Sequence, residues 1–545
     1  MTFLVAPPGR PPHSQAGFIL CQDRWNDFSF RTQYQLYFGS GDGAPDLLGS
    51  VKILKLGQTA SDGLQLSVGE FSSLGQEFCS VGQGLDYYER LAALGPDRRT
   101  EALVGLRDIV QQPPLVDEFK EQEGWRISLF RDFSLDADFL ATAKALIDRD
   151  YDSLPNLHLD FTFHPTGWGE ALKLDFSAPS SDLDDVFGMR AIKTRLPSRI
   201  AVLVGRNGSG KSTLLARLAR VAHGSAGDRR KRVLAQLGEL DPPGIGFTRI
   251  VAISYSAFDS FIAPGLTPEE RVQVGKEIRT GTGRYMFCGL RDIGRELDDL
   301  SAIEREEGDR PETPEERLAT NRLKSLDSLT DEFAAAIAKI GKSDRLGMLR
   351  RCTAPLFLDP SLYAGEGADI FQFMEGDLKA NFHALSTGHK IVLHVIASVV
   401  SHLERKSLVL FDEPETHLHP PLLAALMHGL RLALHDLDAF AIVATHSPVV
   451  VQETLSRHVH KVVRNGDSGR IFPPEIETFG ESIGTITNEV FALDATSTDY
   501  HVVLRGLAQA YGDLGAIEAA LDRGLSTQAR AFVMSVLAEP REGQA

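Results

Sequence analysis

Three carboxylates and two imidazoles fall within ten residues in "FDEPETHLHP", Phe411 to Pro420: Asp412, Glu413, Glu415, His417 and His419. Acids and histidines at such short spacing can hold zinc or manganese. The residues leading into them, "SLVLF" from Ser407 to Phe411, make a largely apolar run that reads as a buried strand. Two acids at the exit of a buried strand suit a nucleotide-bound magnesium ion, and that chemistry needs a phosphate cradle elsewhere in the chain.

"GRNGSGKST", Gly205 to Thr213, supplies one. It fits G-x-x-x-x-G-K-[ST], follows the apolar run "IAVLV" and precedes the helix-forming "LLARLARV", which is the strand–loop–helix context such a loop requires. Gly205, Asn207, Gly208, Ser209, Gly210, Lys211, Ser212 and Thr213 are the expected nucleotide-binding residues. Glycines let the backbone turn so that amide N–H groups and a helix N-terminus face the phosphates. Lys211 is expected to neutralise phosphate oxygens, and the Ser212 hydroxyl to ligate Mg²⁺ together with Asp412. Glu413 is expected to activate the attacking water as general base. His417 and His419 then read as part of a loop after the strand. In "ALSTGHKIVL", Ser386 and Gly388 open a long apolar helix whose N-terminus can face phosphate. In "AFAIVATHSP", a second buried strand ends at His446, placed to contact a γ-phosphate.

These residues need a scaffold, and 545 residues allow two to four domains with sizeable cores. Residues 1–15, rich in Pro and Gly, read as a disordered start. Residues 16–154 read as an accessory α+β module, with a β-hairpin between Phe28 and Gly57 and a helix at Leu85–Gly95 stopped by Gly95-Pro96. "QQPPLVDE", from Gln111, reads as a linker or domain edge. A first ATPase lobe is expected over 155–290, a helical insertion over 291–360, a second lobe over 361–495 and a helical tail over 496–545. Between Asp292 and Glu332 there are 14 acids and 6 bases, which reads as a solvated helical hairpin. The fold class is α/β: a P-loop ATPase head with a mixed-sheet core.

A net charge of −17 disfavours nucleic acid as a whole-surface partner and leaves only a local basic patch as a route to it. Four scattered cysteines with no CxxC indicate neither a disulfide framework nor a zinc ribbon. The opening "MTFLVAPPGRPPHSQ" lacks a cationic start, and no stretch reaches the roughly 18 apolar residues that span a bilayer. A cytoplasmic protein without a membrane segment is expected.

In their order, "GRNGSGKST", "LSTGHK", "LVLFDEPETHLHP" and "IVATHSP" resemble the ABC-type ATPases of the SMC and OLD class, over about residues 155 to 495. "DEPETHLHP" resembles the OLD-like branch more than transporters, whose segment after the acids ends in Leu-Asp. "FGESIGTITNEVFALD", Phe479 to Asp494, and the N-terminal module resemble, more loosely, the Septu-type antiphage defence ATPases. The resemblance implies a head-to-tail homodimer or higher oligomer. ATP and Mg²⁺ would lie between Lys211, Ser212 and Asp412 of one subunit and Ser386 and Gly388 of the other. It also implies a separate effector such as an HNH nuclease. Two departures stand out. The strand after the P-loop helix should end in Gln, yet "IVAISYSAFDSF" offers only Ser254, Ser256 or Asp259, so turnover is expected to be slow or partner-dependent. Only 99 residues follow His446, too few for the Toprim nuclease domain of OLD proteins as well as the rest of the head.

The leading expectation is an ATP-driven switch that controls that effector. An SMC-like DNA-tethering ATPase needs long heptad arms, and the 171 residues between Thr213 and Leu385 hold no sustained heptad run. A non-hydrolysing ATP-bound scaffold is the alternative of a different class.

Overall fold

The first strand corrects the expectation of a disordered start: Phe3–Ala6, "FLVA", is β1. The Pro and Gly residues that suggested disorder lie after this apolar run. In the computed structural model, which describes residues 2–131, 137–154, 159–176, 197–299, 322–358, 362, 369–465, 468–491 and 499–538, β1 pairs in parallel with β2 (Ala16–Gln22). The sheet continues through β3 (Gln33–Ser40) and β4 (Asp46–Lys55), the antiparallel hairpin, and takes in β5 (Gly69–Phe71) and β6 (Phe78–Gly82) in the order β5-β1-β2-β3-β4-β6. The helices Leu85–Ala93, Pro96–Gly105 and Ala137–Asp148 pack against it. "QQPPLVDE" is not a linker. Its Leu115 begins a short helix, Leu115–Phe119, whose end residues are buried in the core of this module.

A small antiparallel sheet, β7 (Asp160–Pro165), β8 (Leu172–Asp175) and β10 (Gly238–Asp241), lies beside the main one. The main sheet has seven strands: β9 (Ile200–Val204), β11 (Ile250–Ser254), β12 (Tyr285–Gly289), β13 (Leu408–Asp412), β14 (Phe440–Thr445), β15 (Val459–Asn465) and β16 (Ser468–Phe472). Their order is β12-β11-β13-β14-β9-β15-β16. All pairs are parallel except β15–β16. Strands β9, β11, β12, β13 and β14 are buried throughout, as continuous apolar runs covered on both faces require. One face packs on the helices Thr387–His402 and Pro420–Asp436, the other on Lys211–His223.

The acidic segment after Asp292 lies outside the described residues between 300 and 321. Its later part is no free solvated hairpin. Helix Leu326–Lys342, capped by Ser325, buries Phe333, Ala336, Ile337 and Ile340 in the core beside Thr387–His402. The expected joint at 154/155 borders undescribed residues, and those at 360/361 and 495/496 fall on them. The C-terminal helices Asp499–Tyr511, Leu514–Ala519 and Thr527–Ala538 form a small core of their own around Ile517 and Val533. None of the described helices is long and apolar enough to cross a membrane.

The N-terminal module is fastened to the part built on the seven-stranded sheet by buried charge. Arg90 meets Glu277 at 2.6 Å, and Glu89 lies between Arg149 at 2.7 Å and Arg249 at 2.8 Å. Lys406 pairs with Asp138.

Candidate nucleotide site

Strands β11, β13 and β14 end in register, Ser254 opposite Asp412 and Asp412 opposite Ala444, while Thr445 stands opposite Val204 of β9. The carboxyl edge therefore brings the loop after β9 and the acids after β13 together, with β14 and its His446 between them. In the loop, Gly208 and Gly210 take φ of +79° and +96°, the left-handed region that a side chain resists. Helix Lys211–His223 then starts with its free amides facing the loop.

Ser212 Oγ donates to Asp412 Oδ1 at 2.9 Å, 200 positions away in the chain. Lys211 Nζ donates to Gly205 O at 3.0 Å and to His446 Nε2 at 2.7 Å. Burial pulls the Lys211 ammonium down to about 8, against the raising effect of Glu413, Asp412 and Glu415. Burial also lowers His446 to about 4, helped by the neighbouring Lys211 charge, which favours the neutral ring that accepts a hydrogen bond from the lysine. The Asp412 carboxyl is pushed up to about 7 by burial and by the like charges of Glu413 and Asp259, against the hydrogen bond from Ser212. At Glu413 the backbone turns to φ +49°, a strained geometry for a residue with a side chain, while its N–H donates to Ala444 O at 2.8 Å. Its carboxylate stands 3.9 Å from His446 Nε2.

The residues fit Mg²⁺-bound nucleotide. A hydroxyl and a buried carboxylate are the hard oxygen donors that Mg²⁺ takes. Asp412 is held partly protonated where a cation would ionise it. Ser209 Oγ is buried in the glycine loop without a hydrogen-bond partner. The zinc alternative does not fit: among the described residues, no group of three or more His, Cys, Asp and Glu could hold a metal ion. His419 caps helix Pro420–Asp436, and His417 sits in the turn before it at φ +66°.

Two expected residues stay apart from this cluster. Ser386 caps helix Thr387–His402, accepting from His389 N–H and meeting His389 Nδ1 at 2.8 Å. Gly388 packs so closely on the helix after β13 that a Cβ there would lie 2.9 Å from Leu422 Cδ1. Of the candidates for the absent Gln, Asp259 is committed to Arg291 at 2.7 Å and Ser254 is buried at the end of β11. Ser256 Oγ accepts from Phe258 N–H at 3.1 Å. Two placements carried no sequence signal: the contacts of Glu415, legible only as one of the acids after the strand, and the position of Trp168. Glu415 holds the end of β14, accepting from Thr445 Oγ1 at 2.8 Å and from the His446 amide. Trp168, in the β7–β8 turn, lies over Gly210, where a Cβ would meet its ring at 3.0 Å.

The chain is 31% identical over 496 residues to protein ea59 of Escherichia phage lambda, covering 89% of this chain and 88% of that protein. It belongs to the family of protein ea59. Residues 289–452 of this ea59-family chain match the family model described as "AAA domain, putative AbiEii toxin, Type IV TA system". That span holds the Ser386 cap, Asp412, Glu413 and His446. A stretch of 109 residues, 20% of the chain and 20% of the relative, is 30% identical to ribose import ATP-binding protein RbsA 1 of Burkholderia ambifaria. Among solved structures, the SMC head domain from Thermotoga maritima matches 58% of the chain and 98% of that domain, at 13% identity and a TM-score of 0.25. This member of the ea59 family carries a P-loop at Gly205–Thr213 and an AAA-domain match over residues 289–452.

Proposed function

We propose that the protein hydrolyses ATP as a switch, closing head-to-tail with a second copy around the nucleotide and thereby controlling a separate effector. One observation carries the reading. Lys211, Ser212, Asp412, Glu413 and His446 converge on one sheet edge, while Ser386 keeps its hydrogen bonds inside its own helix. A second helix N-terminus that does not meet the loop in its own chain suits a phosphate presented by a neighbour.

In this reading the Lys211 ammonium leaves Gly205 O and His446 for the phosphate oxygens. Ser212 and Asp412 would hold Mg²⁺, which would screen the phosphate charge when bound. Glu413 orients the attacking water and accepts its proton. His446, fixed through Glu415 and beside Glu413, contacts the γ-phosphate, and Trp168 offers its ring to the nucleotide beside Gly210. The absence of Gln after β11 fits slow or partner-triggered turnover.

The resemblance to Septu-type ATPases supports antiphage defence, with an HNH nuclease as the effector. The matched family description also names a toxin of a Type IV TA system. Single-turnover ATP hydrolysis by the parent and Glu413→Gln tests the enzyme: equal rates would make the protein a non-hydrolysing scaffold. Capture of partners from the native host with and without ATP tests the switch; a partner set that ignores ATP would defeat it.

A further inference from the structure

Where the N-terminal module meets the ATPase core there is a cavity of about 510 Å³, within the usual range for small-ligand sites. Its lining joins β3 of the module to the far end of helix Lys211–His223 and to the segment after it. That segment, "DRRKR", places four basic residues in a row, Arg229 to Arg232, in a chain whose net charge is −17.

The charges are arranged rather than scattered. Asp27, 1% exposed, accepts from the Trp25 indole N–H at 2.9 Å, Arg131 at 2.8 Å and Ser128 at 2.8 Å, and pairs with Lys52 at 2.8 Å. One carboxylate thus fixes an aromatic ring beside a guanidinium while Lys52 already offsets its charge. Across the mouth, Arg230 of the ATPase core donates to the Arg131 carbonyl at 3.1 Å, bringing cations of both parts to one rim. Deeper in, Arg229 is held by the carbonyls of Val221, Ala222, Pro243 and Ile245 at 2.7–3.1 Å, with no carboxylate in contact. Burial, and then the nearby charge of Arg284, lower it to about 9. A buried cation without an anion is costly, and a bound anion relieves it. The lining holds seven guanidinium and ammonium groups against four carboxylates, with Lys231 paired to Asp228 at 2.7 Å and Arg284 to Asp86 at 3.2 Å.

We propose that this cleft is a second ligand site, taking a phosphate-bearing nucleotide whose phosphates meet the Arg131–Arg230–Lys231 rim and whose base lies against Trp25. It is distinct from the Lys211 loop. The two are the opposite ends of one 13-residue helix, which spans about 20 Å.

The test is equilibrium dialysis of the full chain with AMP-PNP, a non-hydrolysable ATP analogue, and separately with tripolyphosphate. The parent is expected to bind two AMP-PNP per chain and Lys211→Ala one. The site left in Lys211→Ala should weaken at least tenfold on adding Arg230→Glu and Lys231→Glu, both exposed positions. Trp25→Leu should weaken AMP-PNP in that background but not tripolyphosphate. No saturable binding in Lys211→Ala overturns the proposal, as does a remaining site indifferent to the rim substitutions. Equal affinity for tripolyphosphate and AMP-PNP overturns the assignment of a nucleotide. A parent that binds one AMP-PNP, lost with the rim and untouched by Lys211→Ala, would instead sink the reading of the Lys211 loop and leave the cleft standing.

Discussion

Two helices open toward the same chemistry in different ways. Before Lys211–His223 the chain uses left-handed glycines and ties the first helical side chains to residues far off in sequence: Ser212 to Asp412 and Lys211 to His446. Before Thr387–His402 it uses an ordinary serine cap, satisfied three residues away. The first is a site organised in advance by the sheet. The second is a stable helix end that becomes a ligand site only when something is brought to it. Such asymmetry suits the proposed site shared between two copies.

The sharpest way to break the comparison is to disable each helix end in turn. Lys211→Ala removes the charge of the organised end, and ATP turnover should fall by roughly 10²–10³-fold, as for loss of a preorganised phosphate or oxyanion contact, measured by phosphate release. Glu413→Gln should lower turnover by about 10²–10⁴-fold while nucleotide binding survives, and should leave ATP-bound dimers stable on gel filtration. If that variant stays monomeric with ATP, the shared site fails. Ser386→Arg should leave ATP binding intact and stop turnover. Mixing it one-to-one with Lys211→Ala should restore roughly a quarter of parental activity, because half of the dimers then hold one intact site of two. A mixture as inactive as its components would place both helix ends in separate reactions.

A smaller effect separates the two ends by pH. The folded pKa of His446 lies below its unfolded value of 6.5, at about 4. Folding therefore favours the neutral ring, and that contribution is present above pH 6.5 and lost as pH falls through 4. With its partial exposure discounted, the loss is about 1–2 kcal/mol. Urea midpoints of the ligand-free parent should fall more between pH 6.5 and 4 than those of His446→Asn. Least of all, Ser386→Ala should cost about 1 kcal/mol of stability through the lost cap, at any pH.

How much of this was legible beforehand follows from how local each feature is. The loop around Lys211 and the acids after β13 announce themselves because strand, turn and helix chemistry sit in one short run, and only one sheet order brings the runs together. The N-terminal strand was hidden because four apolar residues stand next to a Pro- and Gly-rich stretch. The buried face of Leu326–Lys342 was masked by the acidity of the segment leading into it. Glu415 was legible as one of the acids after β13 but not as the support of His446, and Trp168 could not be read as a site residue at all. Trp168 reaches Gly210 only through the β7–β8 turn, and Glu415 acts on a strand end 30 positions away. Neither relation leaves a spacing in the sequence. The missing Gln remains without a plain replacement, since Asp259 is occupied by Arg291.

The buried ion pairs between the two parts constrain how the protein can be handled as pieces. A fragment beginning near residue 155 would keep Glu277 and Arg249 but lose Arg90 and Glu89, stranding two charges on a surface shaped to exclude water. Neither half is therefore a freestanding unit to be cloned, swapped or fused at will, and a graft of this ATPase onto another protein must carry its first 150 or so residues with it.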